Sequence, residues 1–203
     1  MKRIISILLV LCTLFALGAC NSESDTTAYT TIPNPDIEPI SIDDVPLAKY
    51  LDNCAYFGRC NWNQFTIEEQ KAISKKAMDA QVTLNVDDDG VISVIDMSGI
   101  VIKYGGTWPS EYAFLNGFPV PQNKVAYSGI QTGVMCYVGL YMTMDEAKAY
   151  KDNFAALGFD QEVTETENSK TYYYDAVNAE GKMAIIVYEA GITLISVMPT
   201  ERD

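Results

Sequence analysis

Residues 171–199 read TYYYDAVNAEGKMAIIVYEAGITLISVMP. Three β-branched and aromatic runs, TYYYDAVN, KMAIIVYE and ITLISVM, are split by two short polar or Gly-containing connectors. Asn178-Ala179-Glu180-Gly181 joins the first pair and Ala190-Gly191 the second. Connectors this short can join only antiparallel neighbours, because a parallel pair needs a crossover of a dozen residues or more. The unbroken apolar run from Met183 to Tyr188 predicts a central strand covered on at least one face. Tyr172 and Tyr174 share one face of their strand and Tyr173 takes the other.

Upstream, FDQEVTE at 159–165 predicts a further strand with Phe159 and Val163 on its apolar face. Before it, Thr143-Met144-Asp145-Glu146 is a capping box, with Thr143 as N-cap and Glu146 at the third helical position. Ala147, Tyr150, Phe154 and Leu157 then form one apolar helical stripe. Gly158 suits the left-handed residue that closes a helix. VAYSGIQTGVMCYVGLY at 125–141 predicts one or two strands, with Cys136 alternating with Val134, Val138 and Leu140 as a buried, inert thiol. The connector 107–124, TWPSEYAFLNGFPVPQNK, is expected to pack Trp108 and Phe114 on the sheet.

The first half repeats the vocabulary. Thr66-Ile67-Glu68-Glu69 is a second capping box, opening a helix to about Asp79. QVTLNV and VISVID follow, joined by Asp87-Asp88-Asp89-Gly90, in which Gly90 supplies the positive φ of a tight hairpin. IVIKY ends at Gly105-Gly106. Thr66-Ile67-Glu68-Glu69-Gln70-Lys71-Ala72 aligns with Thr143-Met144-Asp145-Glu146-Ala147-Lys148-Ala149. The strands that follow do not align, so shared capping chemistry is the expected reason. The fold class is therefore α+β: an antiparallel sheet packed by one or two helices, with residues 48–106 and 107–203 forming one compact unit.

Composition excludes several functions. The chain of 203 residues carries 14 Lys+Arg against 27 Asp+Glu, a net −13, and contains no His. So acidic a chain lacks the basic face that nucleic acid requires. Without His there is no imidazole base, no Ser-His-Asp triad and no HExxH zinc site. With hydrophobic residues at 48%, most of the chain should fold.

Residues 1–20, MKRIISILLVLCTLFALGAC, combine Lys2 and Arg3 with an apolar run from Ile4 to Leu17. That run is shorter than the ~20 residues a spanning helix needs, so 1–19 read as a signal peptide. Leu17-Gly18-Ala19-Cys20 resembles the lipobox of bacterial lipoproteins. The resemblance implies cleavage before Cys20 and diacylglyceryl transfer to its sulfur. It further implies a lipid-anchored protein on the extracytoplasmic side of the cell envelope, held by its acyl chains. Loss of Lys2 and Arg3 leaves 12 cations against 27 acids, a net −15, which disfavours lying flat on anionic lipid. Residues 20–47, rich in Ser, Thr, Asp and Pro, are expected to form a flexible tether.

Candidate sites are few. Cys54 and Cys60 in NCAYFGRCN are free to pair as a local disulfide outside the cytoplasm, with free thiols the alternative. Two thiols with no His cannot complete a zinc site. Asn85, Asp87, Asp89 and Asp96 fall on positions 1, 3, 5 and 12 of a calcium loop, with Gly90 at 6. The flanking strand patterns favour a solvated hairpin turn instead. Tyr172 and Tyr174 are candidates for a binding face. No cofactor is expected. The stretch from Gly105 to the C-terminus is similar to small lipoprotein domains of unknown function from gut-type bacteria. The likeness rests on GGTWP, Pro119-Val120-Pro121, a helix ending in Leu157-Gly158-Phe159, and TYYYDAVNAEGKMAIIVY. It implies the fold and no reaction. Two functional expectations stand: a non-catalytic module binding an envelope protein or glycan, or a secreted hydrolase using carboxylates or calcium.

Overall fold

The strands of residues 171–199 lie side by side in a single nine-stranded antiparallel sheet. The computed structural model describes residues 37–200. Three helices are present among them: α1 (Leu47–Tyr56), α2 (Ile67–Asp79) and α3 (Met144–Ala156). The strands are β1 (Thr83–Val86), β2 (Ile92–Ile95), β3 (Val101–Tyr104), β4 (Val125–Gln131), β5 (Met135–Tyr141), β6 (Phe159–Glu167), β7 (Thr171–Asn178), β8 (Lys182–Glu189) and β9 (Ile192–Pro199). Their order is β1-β2-β3-β4-β5-β9-β8-β7-β6. The protein is α+β, dominated by its sheet. β3 pairs with β4, so the sheet runs unbroken across the long connector between them.

The sheet is covered on both sides, by different halves of the chain. On one face, α3 and the 107–124 connector bury Cys136, Val138, Leu140, Tyr172, Tyr174, Ala184, Ile186, Ile195 and Val197. Trp108 and Phe114 join this core as expected, and Phe118 meets Phe154 edge-on at 5.4 Å. On the opposite face, α1 and α2 bury Ile92, Val94, Tyr104, Ala126, Tyr127, Ile192 and Leu194. The central run of β8 lies between β7 and β9, with Ala184 and Ile186 in the α3 core.

The two halves share one plan. α2 and α3 each span 13 residues. Thr66 and Thr143 each accept a bond from the third helical N–H, and Glu69 and Glu146 each accept from the cap N–H at 2.7 Å. Ile73 and Ala77 are buried on α2, and Tyr150 and Phe154 occupy the equivalent positions on α3. Each helix exits through a left-handed residue equally far from its cap, Gln81 (φ 56°) and Gly158 (φ 82°). Four antiparallel strands follow each helix, running from an outer edge inward. β4 and β9 both lie antiparallel to β5 and are therefore parallel to each other. With the helices on opposite faces, β5 marks a pseudo-twofold axis in the sheet plane. The likeness of the two helix starts thus extends to architecture, which shared capping chemistry alone does not require.

Several expectations need correction. Residues 37–46 are not a free tether: Ile37, Ile40, Ile42 and Val45 pack against the α1 core. Asn53 fixes them, donating to the Glu38 carbonyl at 2.9 Å and accepting from the Ile40 N–H at 3.1 Å. α1 is not among the expected helices, yet Leu47, Tyr50, Leu51, Cys54 and Ala55 are buried at i, i+3, i+4, i+7 and i+8. Val163 is exposed, because β6 is an edge strand, and Val134 is exposed in the β4–β5 turn.

Candidate functional site

Tyrosines, a carboxyl and two thiols converge beneath α1. The helix presents Tyr50, Asp52, Cys54 and Tyr56, and the underlying strands present Tyr104 (β3), Tyr127 (β4), Tyr137 and Tyr141 (β5). Tyr104 is fully buried, and its hydroxyl lies 3.0 Å from Asp52 Oδ1 and 3.3 Å from the Ala48 carbonyl. Burial pushes the Asp52 carboxyl up to about 7, opposed by the Tyr104 bond. In a chain without His, this places a titrating group at neutral pH. Tyr56, Tyr104, Tyr127 and Tyr137 are each raised by burial first and by the Asp52 charge as well. Tyr141 donates to the Ala55 carbonyl at 2.5 Å, stapling the last turn of α1 to β5.

The rings interlock with glycines. Gly129 faces Tyr137 across β4 and β5, and Gly139 faces Tyr127. A Cβ on Gly139 would lie 2.7 Å from Tyr127 Cζ, and one on Gly129 would overlap the Tyr137 ring. Each glycine gives the opposing ring a bare backbone to lie on. At the rim, Arg59 donates to both oxygens of Glu69 at 2.7 and 2.8 Å and sits 4.5 Å over the Phe65 ring. Burial raises Glu69, but bonds from Arg59 and Thr66 outweigh it and hold the carboxyl below its usual range.

The candidate residues read from the sequence fall in separate places. Cys20 lies outside the described residues. Cys54 and Cys60 are both buried, free thiols rather than a disulfide. Burial pushes Cys54 up to about 11 despite nearby Arg59, and raises Cys60 as well. Cys136 is buried and pushed up to about 12. Protonated thiols are poor nucleophiles.

Tyr172 and Tyr174 do not form an exposed binding face. They are 0% and 6% exposed and sit in the α3 core. Inward orientation puts them with Ala176 beneath the helix. Tyr172 donates to Glu165 at 2.8 Å, and Lys148 and Lys151 lie over the two rings.

The calcium candidates do not converge either. Asp87 Oδ1 accepts from the N–H groups of Asp89 and Val91, closing the β1–β2 turn. Asp96 Oδ1 accepts from Ser98 and Ile100, closing the β2–β3 turn. The whole of β2, roughly 13 Å of extended chain, separates them. Gly90 has the expected positive φ of 78°. Among the described residues no group of three or more Cys, Asp or Glu is placed to hold a metal ion. No described helix is long and apolar enough to cross a membrane.

Sequence reasoning missed Asp52. The available signal was the apolar period around it, which makes 47–56 a helix and sets Asp52 beside its buried stripe. No family model, no curated protein and no solved structure matches the chain. The likeness of residues 105–203 to small lipoprotein domains therefore stands on the quoted residues alone.

Proposed function

We propose that this chain is a lipid-anchored lipoprotein of the bacterial cell envelope whose folded domain is a non-catalytic binding module. The anchor reading is supported by Leu17-Gly18-Ala19-Cys20 after a short apolar run. The membrane is its first partner, through acyl chains on Cys20, and an envelope protein or glycan is the second. One observation carries the non-catalytic reading: the polar groups of the α1 cluster are spent on holding structure. The Tyr104 and Tyr141 hydroxyls tie α1 to the sheet, and the thiols beside them are kept protonated. Crosslinking in intact envelopes, followed by capture of the anchored protein, tests it. A specific partner recovered with the wild type and lost when Cys20→Ser releases the protein supports the reading. Unmodified Cys20 in the membrane fraction removes the anchor.

A second reading, a carboxylate-dependent hydrolase, is favoured by Asp52 alone, because a carboxyl near 7 suits a general acid at neutral pH. Turnover of a glycan or ester panel that disappears in Asp52→Asn would establish it.

A further inference from the structure

We infer that a proton on Asp52 latches α1 to the sheet, and that losing this proton loosens α1 together with the 37–46 segment bound along it. The Tyr104 hydroxyl has one proton and two acceptors in reach, Asp52 Oδ1 at 3.0 Å and the Ala48 carbonyl at 3.3 Å. An ionised Asp52 takes that proton and leaves only a weak, shared contact to Ala48. A protonated Asp52 reverses the order. Its carboxyl O–H donates to the Tyr104 oxygen, and the Tyr104 O–H is free to donate to Ala48. Both observed contacts are then full hydrogen bonds, and α1 is held at Ala48 and Asp52, one turn apart.

The surroundings favour the same state. Tyr104 from β3, Tyr127 from β4 and Tyr137 from β5 face the carboxyl, with Cys54 and Tyr56 beside it on α1. At the end of β8, Glu189 also acts on Tyr56 and carries a negative charge. Arg59, the cation at the rim, is engaged by Glu69. An ionised Asp52 would thus sit among neutral hydroxyls and thiols, with no cation among the described residues acting on it. Burial raises its pKa toward the protonated state and outweighs the opposing pull of the Tyr104 bond.

The latch has a mechanical target. The neighbouring residue Asn53 carries the bonds to Glu38 and Ile40, and Lys76 on α2 donates to the Asp43 carbonyl. Whatever loosens α1 therefore loosens the segment leading from the domain toward Cys20. Acid tightens this connection and alkali relaxes it.

The test uses residues 20–203 with Cys20→Ser. Amide hydrogen exchange of α1, corrected for intrinsic rates, is measured from pH 5 to 8 in this protein and in Asp52→Asn. The carboxamide introduced by Asp52→Asn can donate to Tyr104 as the protonated acid does. Protection of α1 should fall as pH rises, by up to about tenfold per pH unit. In Asp52→Asn it should stay flat. Parallel profiles in the two proteins overturn the proposal. Should Asp52→Asn fail to fold, the Asp52 carboxyl carbon shift of the unsubstituted domain decides: a midpoint below pH 5 overturns it, and one near neutrality supports it.

Discussion

Tyr137 lies across Gly129, its direct cross-strand partner, so closely that a Cβ on Gly129 would occupy the ring's own space. Tyr127 and Gly139 repeat the arrangement in the opposite sense, two residues along the ladder. Both rings line the α1 core, so these two bare positions set how near α1 can approach β4 and β5. Gly129→Ala should destabilise the domain by about 1–3 kcal/mol, the usual cost of overpacking. Chemical denaturation measures this. Adding Tyr137→Ala should recover part of the loss, because the clash goes with the ring, giving a coupling energy well outside additivity.

The matched helix starts predict matched losses. Thr66→Ala and Thr143→Ala each remove a side-chain acceptor from the first turn of a 13-residue helix, and each should cost about 1 kcal/mol. Because the two helices lie on opposite faces, the double variant should show the sum of the single losses in urea denaturation. A larger loss at Thr66 alone would show that the Arg59–Glu69 pair depends on the same cap.

Stability should peak in mildly acidic solution. Asp52 is raised from 3.8 to about 7, so its contribution is complete below pH 4 and is lost as pH rises through 7. Discounted for its partial solvent access, the loss is on the order of 2–4 kcal/mol. Glu69 and Glu146 are both held below their ordinary range, so their contributions are present above about 4.5 and are lost as pH falls. A thermal scan from pH 3 to 9 should therefore show a maximum near pH 5. In Asp52→Asn the alkaline arm should flatten and the acid arm should remain.

What could be read from the residues alone was governed by local chemistry. The caps at Thr66 and Thr143, the closing Gly158 and the turn at Gly90 are local signals, and each sits where its sequence context placed it. The strand pairing of 171–199 followed from connector length. The order of the first five strands did not, because the 107–124 connector hides the β3–β4 pairing. The orientation of Tyr172 and Tyr174 was also out of reach: alternation puts them on one face without saying which face α3 covers. Asp52 was missed for a related reason. A carboxyl on a short amphipathic helix looks solvated until β3 places Tyr104 beneath it. Ile37 and Ile40 lie among Pro and acidic residues, and only the Asn53 side chain reveals that they are held.

The thiols give the sharpest chemical check, because the two states of Cys54 and Cys60 differ by a count. In the structure both are free, buried and raised by burial, as is Cys136. In residues 20–203 carrying Cys20→Ser, a maleimide added to the native protein should label these positions slowly, because protonated buried thiols react poorly. Unfolding in denaturant without reductant should then release three reactive thiols per chain. Release of one, with two more appearing only after reduction, would mean that Cys54 and Cys60 are joined in the isolated protein. Closing that bond would draw the C-terminal turn of α1 toward Cys60, whose sulfur lies 3.9 Å from the Tyr141 hydroxyl. A disulfide there should therefore weaken the Tyr141–Ala55 staple, and mass spectrometry of the labelled chain shows which state is present.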